Sequence, residues 1–251
     1  MSVELVRSLS HARAARRRLL KAFVGVGAAG ALGSVGLPGA VGISYAAALT
    51  REQRDKLTPD EVLEMLERGN ERFRTGKMQS HDYLAQSRAS VSGQYPAAAI
   101  LSCIDSRAPA EIVLDAGIGD IFNARVAGNI ANDDLIGSLE FACAAAGAKL
   151  ILVMGHTACG AIKGAIDGVE LGHLTGLVNK IKPAVAATAY SGQRSSKNAA
   201  FVDEVAKTNV LRTVADIRRE SSVLADLEHT RKIRMVGAMY HLDGGRLEVF
   251  T

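Results

Sequence analysis

Four apolar runs, each closed by turn residues, mark the chain: Ala97–Ser102, Ile121–Val126, Leu150–Gly155 and Arg234–Leu242. Runs without polar alternation predict strands buried on both faces, as in a parallel sheet. Asp243-Gly244-Gly245 predicts a tight turn into a fifth strand, Arg246–Phe250, lying antiparallel at the edge. The segments between the runs read as helices. Asp133–Ala146 starts on an acidic pair and stops before Gly147; Ala158–Ile166, Ala199–Arg219 and Ser222–Thr230 follow. Upstream, Thr58-Pro59-Asp60-Glu61 is a helix start, with Val62, Leu63, Leu66 and Phe73 near helical spacing as far as Arg74. A polar helix is predicted over Tyr83–Ser92, and a mobile loop over Ser191–Asn198. Alternating strands and helices predict an α/β fold: an open, mostly parallel sheet flanked by helices, with an antiparallel C-terminal edge strand.

The first 48 residues follow another logic. They hold Arg7, Arg13, Arg16, Arg17, Arg18 and Lys21 against a single acid, Glu4. Arg16-Arg17-Arg18-Leu19-Leu20-Lys21 precedes an uncharged stretch from Ala22 to Thr50, which contains seven glycines and Pro38 and passes through Ala46-Ala47-Ala48. This resembles a twin-arginine export signal, with Leu19 where the usual pattern has Phe, cleaved after small residues. A bacterial periplasmic or otherwise exported location is expected. The alternative is an uncleaved membrane anchor, since the stretch is long enough to span a bilayer; its glycines and proline weaken that reading. Residues 49–251 are expected to form a single domain, with 57–92 as an N-terminal helical arm.

Charge looks different once divided this way. The chain carries a formal net charge of +4, which on its own invites a nucleic-acid partner. Beyond residue 48, however, 24 positive residues face 25 negative ones. A broad basic face for nucleic acid is therefore excluded, and membrane contact is expected only transiently, through the signal. Trp is absent and aromatics are 4%, so small aliphatics must build the core. Three cysteines do not make a disulfide framework.

Ligands of open α/β sheets bind beyond the carboxyl ends of the strands. That rule singles out Cys103–Arg107 and His156–Cys159, at the ends of the first and third predicted strands. His156-x-x-Cys159 with Cys103 offers two thiolates and an imidazole, a donor set suited to Zn²⁺. Asp105 can fill a fourth position, and Arg107 can instead pair with Asp105 and draw it away. A Cys103–Cys159 disulfide remains the competing arrangement. The C-x3-R spacing with an acid inside it does not fit a cysteine phosphatase. Cys143, in an Ala-rich helix, reads as a small buried apolar residue.

Several blocks together resemble the β-class carbonic anhydrases. They are Ser102-Cys103-Ile104-Asp105-Ser106-Arg107, Gly119–Asn129, Gly137-Ser138-Leu139-Glu140-Phe141, Gly155-His156-Thr157-Ala158-Cys159-Gly160-Ala161 and Tyr240–Gly245. In order they cover roughly Leu57–Thr251. The resemblance implies zinc-dependent reversible hydration of CO₂ to bicarbonate and a proton, with one Zn²⁺ per subunit on Cys103, His156 and Cys159. Asp105 would be the fourth ligand of a closed state, and Arg107 would hold it in the open state; Asp105 and Arg107 are the implied catalytic pair. Gln94, Phe122, Phe141 and Gly160 are implied at the substrate pocket, with Ile100 nearby. Phe141 stands where many members have Tyr, and Val126 where the commonest form has Asn. Ile100 replaces the Trp of members with an inhibitory bicarbonate site, so that site is expected to be missing and the metal site open. A homodimer or homotetramer is implied, with Leu57–Ser92 in the interface. The alternatives are a carbon disulfide or carbonyl sulfide hydrolase on the same scaffold, a non-catalytic zinc-binding protein and a thiol-redox protein.

Overall fold

Among the described residues one sheet of five strands organises the fold, in the order β2-β1-β3-β4-β5. The strands are β1 (Ala98–Ser102), β2 (Ile121–Arg125), β3 (Leu150–His156), β4 (Arg234–Tyr240) and β5 (Leu247–Phe250). The first four are parallel, and β5 pairs antiparallel with β4. A computed structural model describes residues 48–250. The predicted export signal, apart from Ala48, lies outside the described residues.

β1 and β3 are buried along their whole length at the sheet centre, which is why their sequences carry no polar alternation. Successive side chains still point to opposite faces. Ala99, Leu101, Ile151 and Val153 join one core; Ala98, Ile100, Leu150, Leu152 and Met154 join the other. The first core is closed by later helices. These are α5 (Asp133–Glu140), which runs into a π-helical turn at Phe141–Ala145, then α6 (Gly160–Asp167), α7 (Gly172–Ala187), α8 (Ala199–Glu220) and α9 (Ser222–His229). The second core is covered by α2 (Pro59–Arg74) and the short α4 (Ala110–Val113). Two more helices, α1 (Arg51–Lys56) and α3 (Tyr83–Ala89), complete the arm.

The arm is pinned by named polar groups. Thr50 and Thr58 each close a reciprocal capping box, with Gln53 and Glu61, at the starts of α1 and α2. Buried Arg54 donates to the Ala146 carbonyl at the end of the π turn. The chain turns there at Gly147 (φ +86°), where a Cβ would meet that guanidinium. Buried Asn70 binds the carbonyls of Val113 and Gly245 and the N–H of Leu247, stitching α2 to the β4–β5 hairpin.

Two expectations need correction, and one helix lay outside them. Asp133–Ala146 is not one α-helix, because the backbone widens into the π turn after Glu140. The 191–198 segment, predicted mobile, is tied at both ends. Arg194 donates to the Thr188 and Val185 carbonyls and lies 4.8 Å over the Phe201 ring, while Asn198 caps α8. Helix α7 was not predicted at all. Its Leu174, Leu177, Val178, Ile181 and Val185 keep helical spacing and pack on the core. Gly172, Gly176 and Pro183 interrupt that pattern, and no side chain caps its start.

Candidate metal centre

β1 and β3 are neighbours, with Ser102 paired to Met154, so Cys103 and His156 lie at the same, carboxyl end of the strands. Fifty-three positions of sequence separate these two residues. From His156 the chain makes one turn, with Ala158 at φ +56°, and brings Cys159 back to the start of α6. The Cys103 and Cys159 sulfurs stand 3.9 Å apart. With a His156 ring nitrogen they form a buried group whose donor atoms all lie within 4.8 Å of one another.

The protonation of this cluster follows from its hydrogen bonds. His156 Nδ1 lies 2.9 Å from the Thr157 carbonyl, an acceptor only, so Nδ1 carries the proton. Nε2 is left with a lone pair, is buried, and finds no hydrogen-bond partner. The hydrogen bond from Cys159 holds Cys103 well below the ordinary thiol value against its burial, helped by His156 and the Gly128 N–H. The same pairing, together with burial, pushes Cys159 upward. The two therefore release their protons as a unit, the first easily and the second reluctantly. Burial works against charge on His156, but the neighbouring Cys103 outweighs it and raises the imidazole.

Asp105 stands beside the cluster and is claimed by Arg107. Arg107 donates from Nε to Oδ1 (2.9 Å), from Nη2 to Oδ2 (2.7 Å) and from its own N–H to Oδ1 (2.9 Å). This fork holds the carboxyl well below the usual carboxylate range. Asp105 Oδ2 is nevertheless 3.8 Å from His156 Nε2. Arg125, at the end of β2, donates to the carbonyls of Cys103 (3.0 Å) and Asp105 (2.7 Å) and so fixes the segment carrying both. Arg125 lies in the resembling block Gly119–Asn129 but has no role among the sequence-based expectations. Its signal was its place at the end of a strand adjoining β1.

The residues implied for the substrate pocket fall in different places. Gly160 opens α6 next to Cys159, and a Cβ there would meet open space. Phe122 and Phe141 meet edge to face, ring centroids 6.2 Å apart. Phe122 pairs with Ala99, however, four residues short of Cys103, or about 13 Å along the strand. Exposed Gln94 precedes β1 and so lies beyond the opposite end of that strand. Ile100 faces the other core, because alternation turns it away from Cys103. Within one chain, the arrangement expected around Cys103 from Gln94, Phe122, Phe141 and Ile100 does not assemble. Cys143 is buried in the π turn, and burial pushes its thiol up to about 12.

An orphaned imidazole lone pair between two thiols is a costly thing to bury without a cation for it to meet. The donor set fits a soft divalent ion, and the fold places it where open α/β sheets hold their ligands. Sheet and strand ends together therefore define an α/β protein with, among the described residues, one Cys–His–Cys group compatible with a soft metal ion. Comparison with known proteins narrows this further. The family described as Carbonic anhydrase matches residues 98–247. "Carbonic anhydrase 2" of Mycobacterium tuberculosis is 37% identical over 183 residues, 72% of this chain and 87% of that one. The carbonic anhydrase of Mycolicibacterium smegmatis is 34% identical over 186 residues, 73% of this chain and 89% of its own. Among solved structures, the β-carbonic anhydrase CafA of Aspergillus fumigatus superposes with a TM-score of 0.60 at 25% identity, covering 65% of this chain and 79% of that one. The chain belongs to the carbonic anhydrase family, in its β class.

Proposed function

We propose that the protein catalyses the reversible hydration of CO₂ to bicarbonate and a proton, with Zn²⁺ held by Cys103, His156 and Cys159. The observation that carries this is the partnerless His156 Nε2 facing two buried thiols beside a carboxylate that Arg107 keeps ionised. Bound there, zinc would supply a Lewis acid that makes water nucleophilic near neutral pH. The chain's own groups do the rest. Thr157 holds the proton on Nδ1, so that His156 presents a neutral donor nitrogen. Asp105 accepts a hydrogen bond from the attacking water at its carboxylate and turns the oxygen lone pair toward carbon. Arg107 keeps that carboxylate aimed and out of the ligand set, and Arg125 fixes the backbone beneath it.

Gln94, Phe122 and Phe141 enter this reading through a second subunit. They lie away from their own chain's cluster, and Phe141 is 57% exposed. Exposed Tyr83, Ile112 and Ile118 share a groove beside the arm, which supports assembly as a homodimer or homotetramer through 57–92. We read 49–251 as one catalytic domain and 1–48 as a cleaved export signal that delivers it to the periplasm. N-terminal sequencing of the exported form tests that, and a mature protein still carrying Arg16-Arg17-Arg18 would reject it. The function is tested by stopped-flow CO₂ hydration on zinc-loaded protein beside Cys159→Ala and Asp105→Ala. Activity in the parent, its abolition in Cys159→Ala and a deep loss in Asp105→Ala are expected. Equal activity in all three would overturn the proposal.

A further inference from the structure

The segment that carries Cys159 and the turn that hydrogen-bonds to Cys103 are both gripped by side chains of one helix. On α8, half-buried Asp203 accepts at Oδ1 from the Ala158 N–H at 2.9 Å, between His156 and Cys159. Six residues on, Asn209, only 3% exposed, donates from Nδ2 to the Gly128 carbonyl at 2.8 Å. Gly128 in turn directs its own N–H to Cys103 Sγ at 3.4 Å. Both gripped segments are left-handed backbone, at Ala158 (φ +56°) and at Gly128 and Asn129 (φ +72° and +43°). Such conformations persist only where surrounding contacts impose them. At Gly128 the fit is also tight, since a Cβ would stand 2.5 Å from Ile181 Cδ1. Helix α8 comes this close because its Val210 sits over Gly155 and Gly237, where added Cβ atoms would stand 2.5 and 2.7 Å from the Val210 methyls.

We propose that Asn209 is a positioning residue for the Cys103 ligand and Asp203 its counterpart for Cys159, so that α8 sets the donor strength of the thiolates without touching the metal. The inference rests on reading Cys103, His156 and Cys159 as the metal ligands. An N–H···S bond draws charge from a thiolate and weakens it as a donor. Asn209 clamps the carbonyl side of Gly128 and thereby holds the N–H on its other side against Cys103 Sγ. Removing the clamp frees the turn at Gly128 and loses the bond; the sulfur keeps more charge, but the disorder of the ligand costs more affinity than the stronger donor returns. The Gly128 N–H is the direct partner of a ligand atom, and losing such a partner typically costs about 10–100-fold in affinity.

The test is cobalt substitution in the full chain, read by the thiolate-to-cobalt charge-transfer band and by Co²⁺ affinity in chelator competition. Asn209→Leu keeps the volume and removes the donor. Its band should move to longer wavelength and its affinity should fall by about 10–100-fold. Asp203→Asn keeps an acceptor for Ala158 and should stay within about threefold of the parent, while Asp203→Ala should lose about as much as Asn209→Leu. If Asn209→Leu does not fold, Asn209→Ser, too short to reach the Gly128 carbonyl, is read in its place with the same expectation. An unmoved band and unchanged affinity in the folded Asn209 variant overturns the role of Asn209. Equal losses in Asp203→Asn and Asp203→Ala overturn the role of Asp203. A parent protein with no thiolate band overturns the metal centre itself, and the α8 clamp with it.

Discussion

Asp105 lies within reach of two partners and belongs to one of them: 2.7 Å from Arg107 Nη2, against 3.8 Å from His156 Nε2. Two-pronged guanidinium binding decides the contest, and lysine cannot reproduce it. Arg107→Ala should free the carboxylate and lower CO₂ hydration by about 10²–10⁴-fold, the usual worth of a positioned proton acceptor; Arg107→Lys should fall between. The sign of the pH effect follows from the depressed Asp105 pKa. A carboxylate held low contributes its stabilisation above its unfolded pKa, roughly 3.9, and loses it only as pH falls through the depressed folded value. Between pH 5 and 9 Asp105 stays ionised and should add no acid limb to the rate profile. An acid limb in that range that moves in Arg107→Lys would count against this assignment. Two thiolates also cancel more of the metal's charge than neutral imidazoles do, so activity should rise through mildly alkaline pH. The Cys103–His156–Cys159 group and the Asp105–Arg107 pair were legible in the sequence because each is built from short patterns at strand ends. Arg125, Asp203 and Asn209 were not, because they act across 22, 45 and 81 positions.

Buried polar side chains join the apolar face of α2 in fastening the arm to the sheet. Asn70 satisfies two carbonyls and one N–H from three separate segments. Asn70→Leu should lower unfolding stability by about 2–4 kcal/mol, since it strands buried backbone groups. Urea unfolding measures this, and a change under 1 kcal/mol would mean water replaces the amide. The strands were readable because full burial erases alternation, leaving compact apolar runs. α2 was readable from Thr58 and Pro59, its cap and first turn. α7 was hidden because glycines and Pro183 are local signals, whereas the packing of Val178 and Ile181 that overrides them is tertiary. The loop at 191–198 misled in the opposite direction. It is polar and reads as free, yet Arg194 closes the last carbonyls of α7.

At the scale of the whole molecule, the metal and the fold are expected to depend on each other. A ligand present at a thousandfold over its Kd adds about 4 kcal/mol. For a domain of roughly 200 residues, each kcal/mol moves Tm by about 2–4 °C. Chelation should therefore lower Tm by about 8–16 °C in calorimetry, and re-addition of zinc should restore it; an unchanged Tm would place the metal outside the folded core. Light scattering of the mature form should give a multiple of the monomer mass, and a monomer would remove the second subunit from the substrate pocket. The α/β class was legible from strand–helix alternation. The separation of Gln94 and Phe122 from Cys103 was readable too, since Gln94 precedes the Ala97–Ser102 run that Cys103 follows and Phe122 opens the Ile121–Val126 run; the resemblance grouped them by family and not by place.

The adjacency of β1 and β3, with two of the proposed ligands 53 positions apart in sequence, has a kinetic consequence. Closing so long a loop costs chain entropy before any contact rewards it. A chain leaving the ribosome presents Cys103 early, but no three-donor cage exists until His156 and Cys159 have emerged and β3 has docked. Metal capture therefore reports the completion of the central sheet. Refolding from denaturant should proceed at nearly the same rate with and without zinc, whereas unfolding should slow markedly once zinc is bound. Such a protein keeps its metal through slow opening and contributes little of it to fast assembly.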